Sequence, residues 1–234
     1  HENMRHHFEG FPSDAPPMAI LSAMVNAAGC FQHELVAAED DARFQEQVAR
    51  LLSKIRVIAA ASYRKSQGLP FNYPRYDLSY TANFLHLMFC LPNKPCEPHP
   101  DLVRALDLIF TLHADHEQNC STSAVRVVGS SQANLYASVA AGLCALWGPL
   151  HGGANMAVVG MLEHIRQTGE PLDKFVAKVK DKHSDGRLMG FGHRVYKNFD
   201  PRARIFKAAC DRVLKTLGIQ DPLLDIAKQL EEVA

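Results

Sequence analysis

The sequence predicts an all-α fold, and three observations support this prediction. Apolar residues recur every three or four positions through most of the 234-residue chain, a spacing that gathers them on one face of a helix. Residues that favour helix starts and helix ends bracket several of these stretches. The apolar–polar alternation of a half-buried strand is not found at useful length. With 47% hydrophobic residues, the chain can bury a substantial core.

The first three predicted helices each carry a regular apolar stripe. One stripe runs through residues 44–59, behind an acidic pair at 40–41 that suits a helix N-cap. A second covers residues 102–110 and is preceded by Pro100-Asp101. A third, shorter stripe covers residues 172–179.

The last two predicted helices carry clear start signals. Asp200-Pro201 opens one of them and Gly218 follows its last turn, because proline suits the first helical turn and glycine the left-handed residue beyond the end. Asp221-Pro222 opens the other, whose apolar stripe is Leu223, Ala227 and Leu230. Elsewhere, residues 65–80 are predicted to form an ordered loop. Residues 91–100, which contain four prolines, are predicted to form a connector.

Composition and charge exclude several classes of protein. The 25 basic and 25 acidic side chains balance, which argues against a nucleic-acid-coating protein or a polybasic membrane binder. No apolar run is long enough to span a bilayer and no secretion signal opens the chain, so we expect a cytoplasmic protein. The six cysteines are scattered without a C-x-x-C pair, so all are expected to be free thiols in a reducing compartment.

The first polar cluster lies in residues 112–122, directly after an apolar helix. His113 and His116 are three residues apart and would share one face of a helix. Histidines at this spacing can both bind a metal ion, although no third ligand is obvious in the sequence. The alternative is a pair of histidines that brace a helix end, and the cluster alone favours this alternative.

The second cluster, residues 148–155, places His151 between Gly-Pro and Gly-Gly. Glycine leaves the backbone open to close approach by a ligand. The preceding residues 133–146 are small and apolar, as expected of a buried helix that directs a residue toward a cleft. A helix–turn–helix elbow with an incidental histidine is the alternative.

The third cluster, residues 188–202, combines glycines with His193, Arg194, Lys197 and Arg202. Histidine can donate or accept a proton near neutral pH. Arginine can bind a carboxylate or phosphate through two parallel hydrogen bonds. A solvated basic loop is the alternative, but the mixture of glycine, histidine, aromatic and arginine residues favours a binding loop.

These three clusters resemble the signature segments of bacterial citrate synthases. The matching segments are H-A-D-H-E-Q-N-x-S-T-S at 113–123, G-P-x-H-G-G-A-N at 148–155 and M-G-F-G-H-R-V-Y-K-N-x-D-P-R at 189–202. Their order and spacing also match, and residues 70–80 extend the resemblance over essentially the whole chain. Chains of this family are longer at both ends, so the sequence is expected to be an internal fragment.

The resemblance implies both architecture and activity. It implies a large helical domain at residues 1–155 and the first part of a small helical domain at residues 156–234. The implied reaction is the condensation of acetyl-CoA with oxaloacetate to citrate and CoA, a transferase step of the tricarboxylic acid cycle. Members of the family are homodimers, or hexamers in many bacteria. Acetyl-CoA is a substrate, and no cofactor or metal is expected.

The resemblance also implies roles for residues at matching positions. His151 matches the hydrogen-bond donor to the thioester oxygen, and His193 matches the group that polarises and protonates the oxaloacetate carbonyl. His116 and Arg202 match oxaloacetate-binding positions. Beside His116, the further candidates are Asn119 and Ser121. The loop that wraps CoA matches Leu188, Met189, Gly190, Phe191 and Gly192, with Lys197 facing the CoA phosphates.

Part of the family's active site has no match in the sequence. The aspartate that acts as base and two further arginines that bind substrate carboxylates lie far downstream in the family. The 234-residue chain by itself is therefore expected to be inactive. For the same reason, the apolar residues Leu223, Ala227 and Leu230 are expected to lack packing partners.

Three alternative functions stay open at this point. One is a catalytically idle, regulatory protein similar to citrate synthases, and the presence of both His151 and His193 argues against it. A 2-methylcitrate synthase would use propionyl-CoA, which differs by one methylene, a discrimination of only ~1–3 kcal/mol. The H-E-Q-N-x-S-T-S form of the first segment resembles that of the large bacterial citrate synthases, and this resemblance favours citrate as the product. From another class, the alternative is a non-catalytic helical module that binds a metal through His113 and His116.

Overall fold

The computed structural model describes residues 2–32, 41–181, 188–191, 196 and 199–233. Within these residues the chain forms eleven helices and no strand, which confirms the predicted all-α class. No helix of the described ranges is both long and apolar enough to cross a membrane. In chain order the helices are α1 (Glu2–Glu9), α2 (Pro17–Gly29), α3 (Asp41–Ser66), α4 (Tyr80–Phe89), α5 (Pro100–Leu112), α6 (Cys120–Gly129), α7 (Leu135–Leu146), α8 (Ala154–Thr168), α9 (Leu172–Lys180), α10 (Pro201–Leu217) and α11 (Pro222–Val233).

The helices fall into two units along the chain. The first unit, His1–Trp147, contains α1 to α7, and the second, Gly148–Ala234, contains α8 to α11. A unit defined by internal contacts need not coincide with a family domain. The predicted domain ranges of 1–155 and 156–234 therefore stay a prediction.

The core of the first unit lies where α1, α2, α3 and α7 meet. Its buried residues include Met4 and Phe8 of α1, Ile20, Met24, Val25 and Ala28 of α2, Leu51 and Ile58 of α3, and Tyr136 and Ala140 of α7. Burial of each large apolar side chain contributes about 1.5–3 kcal/mol. The predicted stripe at 44–59 belongs to the longer helix α3, and the buried helix predicted at 133–146 corresponds to α7.

Helix α6 packs along α7, and Gly142 of α7 allows the close approach. A Cβ atom at Gly142 would lie 2.5 Å from Val125 Cγ2 and 3.3 Å from the backbone oxygen of Ser121. A larger residue would therefore displace α6 or force Val125 to another rotamer. This packing holds the first turn of α6, which contains the last residues of the first polar cluster.

A buried arginine organises the predicted loop at 65–80. Arg64, at the end of α3, has no exposed surface. Its guanidinium donates to the carbonyl oxygens of Pro70, Met88 (3.1 Å) and Cys90 (2.9 Å). Asn72 adds bonds to the same part of the chain, at 3.1 Å to the carbonyl of His86 and 2.5 Å to that of Cys90. Hydrogen bonds from these two side chains to backbone carbonyls thus order this loop.

The second unit has its own core, formed by α8, α9 and α11. Leu230 is only 2% exposed and clusters with Leu162 and Ile165 of α8 and with Phe175 and Val176 of α9. Leu223 and Ala227 are partly buried against the same cluster. The expectation that Leu223, Ala227 and Leu230 lack partners is therefore wrong. The expectation assumed that only helices outside the chain could cover the apolar face of α11, whereas α8 and α9 cover it.

Helix α10 is joined to α11 by ion pairs. Lys207 of α10 pairs with Glu231, and Lys228 Nζ lies 2.6 Å from Asp211 Oδ1. The predicted start and end of α10 are both confirmed. Asp200 Oδ1 accepts the backbone N–H of Arg202 (2.9 Å), and Gly218 has the left-handed φ of 63°.

The cysteines depart from the expectation of six free thiols. Cys90 and Cys96 form a disulfide, with Cα atoms 5.6 Å apart. The other four, which are free and exposed, are Cys30, Cys120, Cys144 and Cys210. The expectation failed at this pair because the chain turns back after α4, which sequence spacing alone does not reveal.

Candidate active site

The first polar cluster forms a tight connection between α5 and α6. His113 ends α5, where its ring Nδ1 lies 2.8 Å from the carbonyl oxygen of Ile109. Glu117 adopts a left-handed φ of 57°, and its backbone N–H donates to Asp115 Oδ1 (3.0 Å). A left-handed residue other than glycine is uncommon and is retained where the surrounding structure stabilises it.

Asn119 links this connection to α6. As the N-cap of α6, its side-chain oxygen accepts the backbone N–H of Thr122 (2.9 Å) and the hydroxyl of Ser121 (2.8 Å). Its amide nitrogen lies 3.4 Å from the carbonyl oxygen of His116. These bonds give Asn119 and Ser121 a positioning role toward His116, which is partly buried. Their direct contact with substrate stays a prediction, as does that of His116.

The histidine pair shows no sign of a metal centre in the described part of the chain. No group of three or more His, Cys, Asp or Glu residues there is arranged to hold a metal ion. One ring nitrogen of His113 is directed to a backbone carbonyl of its own helix. The geometry of His113 therefore agrees with the sequence alternative of a histidine that braces a helix end.

His151 lies in a turn that leads into α8. The carbonyl oxygen of Gly148 accepts the backbone N–H of His151 (3.0 Å) and that of Gly153 (3.2 Å). A Cβ atom at Gly153 would lie 2.7 Å from Pro149 Cα, so any larger residue would force the backbone of this turn to shift. The turn places partly buried His151 three residues before Ala154, the first residue of α8. The N-terminal end of a helix favours negative charge nearby.

The glycine-rich third cluster is described at residues 188–191. Leu188 packs against the core of the second unit. Gly190 has a φ of 90°, which favours glycine, and a Cβ atom there would lie 3.1 Å from Val158 Cγ2 of α8. Phe191 is 45% exposed. Leu188 therefore anchors the segment, Phe191 leaves an aromatic surface exposed, and Met189 between them is partly buried.

Arg202 is held by an acid two residues before it. Asp200 accepts from the guanidinium at Nη2 (2.7 Å) and at Nε (3.0 and 3.2 Å). Hydrogen bonding to Asp200 raises the pKa of Arg202 above its already high usual value. Asp200 therefore fixes the orientation of the Arg202 guanidinium. The sequence prediction treated Asp200 only as a helix cap. The signal was the D-P-R spacing, which puts the acid within reach of the arginine.

The structure thus describes some candidate residues and not others. The first unit contains His116, Asn119 and Ser121, and the second contains His151, Leu188, Met189, Gly190, Phe191 and Arg202. Gly192, His193 and Lys197 lie outside the described residues. Their predicted roles therefore stay predictions.

Comparison with known proteins assigns this all-helical chain to a family. The family model of the citrate synthase C-terminal domain matches residues 1–234. The chain belongs to the citrate synthase family.

Similarity to individual members extends over the full chain. The chain is 53% identical over 234 residues to citrate synthase 1 of Mycobacterium tuberculosis, and the match covers 100% of this chain and 54% of that protein. It therefore spans about half the length of this relative.

Solved structures agree with the fold. The crystal structure of citrate synthase from Pyrobaculum aerophilum matches with a TM-score of 0.73 at 38% identity, over 94% of this chain and 55% of that one. The citrate synthase from Thermoplasma acidophilum matches with a TM-score of 0.78 at 29% identity, over 95% and 56%. That structure is a ternary complex with carboxymethyl coenzyme A and oxaloacetate.

Proposed function

We propose that the protein to which this chain belongs is a citrate synthase, which condenses acetyl-CoA with oxaloacetate to citrate and CoA. The observation that carries this proposal is the family match over residues 1–234. It is supported by the positions of three signature residues: His116 in the connection between α5 and α6, His151 in the turn before α8, and Arg202 in the first turn of α10. In the reaction a methyl proton leaves the thioester and a carbon–carbon bond forms to the ketone carbon. Water then cleaves the thioester and releases CoA.

His151 is proposed to stabilise the enol of acetyl-CoA. The reaction builds negative charge on the thioester oxygen, and a preorganised donor in a dry site lowers the barrier to its formation. Two bonds to the Gly148 carbonyl shape the His151 turn, and the close Gly153–Pro149 approach restricts it further. A donor held in this way loses little orientation freedom when the charge develops.

Arg202 and His116 are proposed to bind oxaloacetate. An arginine presents two parallel donors that fit a carboxylate. The Asp200 contacts support this role because they limit the orientations of the guanidinium before a ligand arrives. The Asn119 bond to the His116 carbonyl does the same for the backbone of His116. His193 is proposed to polarise the ketone and supply its proton.

The remaining parts of the proposal concern CoA and the base. Leu188, Met189, Gly190, Phe191 and Gly192 are proposed to contact the CoA adenine, and Lys197 its phosphates. The base is proposed to be a downstream aspartate, so the 234-residue chain alone should not turn over. A missing general base lowers the rate by roughly 10²–10⁴-fold.

The deciding experiment is a thiol-release assay on the full-length protein with oxaloacetate and either acetyl-CoA or propionyl-CoA. We expect a higher kcat/KM with acetyl-CoA and no release when oxaloacetate is left out. A higher kcat/KM with propionyl-CoA would identify a 2-methylcitrate synthase instead. If neither thioester releases CoA, the proposed reaction is refuted. A parallel assay of the 234-residue chain tests whether the base lies outside it.

The assembly and location are proposed from the family. We propose a homodimer, or a hexamer built from dimers, in the cytoplasm, with no nucleic-acid partner because the 25 basic and 25 acidic residues balance. Light scattering of the full-length protein measures its mass directly. A monomer at micromolar concentration would contradict the proposed assembly.

A further inference from the structure

The disulfide between Cys90 and Cys96 joins the buried end of α4 to the exposed connector that leads to α5. Cys90 ends α4, where its backbone N–H donates to the carbonyl of His86 (3.1 Å). Cys96 lies six residues later in the proline-rich connector to α5. The bond therefore closes a short loop in which residues 92–95 are exposed.

The Cys90 side of this loop is anchored independently of the disulfide. Cys90 is 3% exposed, and its carbonyl oxygen accepts from Arg64 (2.9 Å) and Asn72 (2.5 Å). Arg64 has no exposed surface and also binds the carbonyl of Met88. Removing these buried bonds would leave a charged group unpaired in the interior, which is costly. Cys90 should therefore keep its place whether or not the disulfide is formed.

The Cys96 side is held more weakly. Cys96 is partly exposed, and its neighbour Glu97 pairs with Arg75 at 2.5 Å. Both side chains of that ion pair are accessible to water, and such pairs contribute little to stability. The backbone N–H of Lys94 adds one bond to the carbonyl of Leu91 (3.2 Å). Opening the disulfide would thus release the connector more than the end of α4.

We propose that Cys90 and Cys96 form a reversible thiol–disulfide site that is opened by a dithiol reductant. A thiolate of the dithiol attacks Sγ of Cys96, the more exposed of the two residues, and the Cys90–Cys96 bond breaks with Cys90 leaving as a thiolate. The second thiol of the reductant then displaces Cys96 from the mixed disulfide. In total, two electrons and two protons pass from the dithiol to the pair, and a disulfide oxidant reverses the change.

The consequence of opening is confined to the connector. Helix α5 is held on α4 by other contacts, namely Thr81 Oγ1 to Asp107 Oδ1 at 2.8 Å and the edge-on rings of Phe84 and Phe110. The segment that carries His116 follows the far end of α5. Oxidation should therefore raise the thermal stability of the protein, while the affinity for substrates stays the same. The site acts on stability because a cross-link restricts the unfolded chain.

The test uses the full-length protein equilibrated across ratios of reduced to oxidised dithiothreitol. Alkylation followed by mass spectrometry should show Cys90 and Cys96 protected together in the oxidised samples and labelled together in the reduced ones. The exposed Cys144 should be labelled throughout, which makes Cys144→Ser the matched control for Cys96→Ser. The oxidised protein should melt roughly 3 °C higher than the reduced protein. This difference should persist in Cys144→Ser and vanish in Cys96→Ser.

Two outcomes would overturn the proposal. The first is labelling of Cys90 and Cys96 in every sample, which would mean that the thiols do not pair. The second is a disulfide that never opens even at the highest dithiothreitol ratio in the folded protein. A melting difference that survives in Cys96→Ser would also refute the assignment, since another group would then carry the redox response.

Discussion

The carboxylate of Asp200 contacts Arg202 in two ways at the start of α10. Its Oδ1 accepts the backbone N–H of Arg202 at 2.9 Å, and Oδ2 accepts Nη2 of the guanidinium at 2.7 Å. One acidic side chain therefore caps a helix and orients the arginine that we propose binds oxaloacetate. Substitutions at these two residues can separate the effects.

The capping role predicts a loss of stability in Asp200→Ala. Removing an N-cap acceptor costs about 0.5–2 kcal/mol in the free energy of unfolding. Asp200→Asn is the matched control, because asparagine caps a helix about as well as aspartate. Urea unfolding of both variants should show the larger loss in Asp200→Ala. Equal losses would mean that the charge, rather than the cap, is what α10 requires.

The parallel N–H donors of the Arg202 guanidinium predict a specific change in the KM for oxaloacetate. Lysine keeps the charge but cannot make two parallel bonds to a carboxylate. Arg202→Lys should raise the KM for oxaloacetate about 10-fold or more, as expected for loss of a charge-assisted bond. The KM for acetyl-CoA should change little. Arg204→Lys, at an exposed position of the same helix, is the control. An unchanged KM for oxaloacetate in Arg202→Lys would argue against the assigned role.

The proposed chemistry predicts large losses at two histidines. His151→Ala should lower kcat by about 10²–10³-fold, as for removal of one oxyanion donor. His193→Ala should lower it on the order of 10²-fold or more, as for loss of a general acid. His164→Ala, exposed on α8, should leave kcat within about twofold of the parent. Steady-state kinetics of the full-length variants measures kcat. A near-normal kcat in His151→Ala or His193→Ala would refute the role proposed for that histidine.

The close packing of Gly153 predicts opposite effects for two alanine substitutions. At Gly153, a new Cβ atom would lie 2.7 Å from the backbone of Pro149. Gly153→Ala should therefore distort the His151 turn and destabilise the protein by about 1–3 kcal/mol. At Gly160, inside α8, a Cβ atom would meet nothing within 4 Å. Gly160→Ala should stabilise the helix by about 0.5–1 kcal/mol.

Thermal unfolding of the two variants measures both effects together. A melting temperature that rises in Gly160→Ala and falls in Gly153→Ala is the expected result. If Gly153→Ala leaves both the melting temperature and kcat unchanged, the turn does not depend on the close approach between Gly153 and Pro149.

The helix prediction succeeded where local signals suffice. Asp200 caps α10 and Gly218 ends it with a left-handed φ of 63°, because both preferences act within a few residues of chain. Helices α1, α2, α4, α6 and α8 were not predicted individually. Helix α6 is rich in serine, threonine and valine, which have modest helix propensity. Its formation depends on the Asn119 cap and on packing against α7 through Gly142.

For the candidate site, the motifs indicated His151 and Arg202, whose roles stay predictions, but not the neighbouring groups that hold them. Asp200 was predicted only as a cap, and the contacts by which the Asn119 and Ser121 side chains hold the start of α6 were not predicted. Side-chain partners depend on backbone geometry, which motif spacing does not contain.

By itself, the sequence determined the all-α class, the family signature and the ends of helices that carry their own start and stop residues. These features depend on interactions between near neighbours in the chain. Only the tertiary structure decided that Leu230 packs on α8 and α9, that Arg64 binds three carbonyls, and that Cys90 meets Cys96. Each of these contacts requires the chain to return on itself, and the direction of that return is set by how whole helices pack.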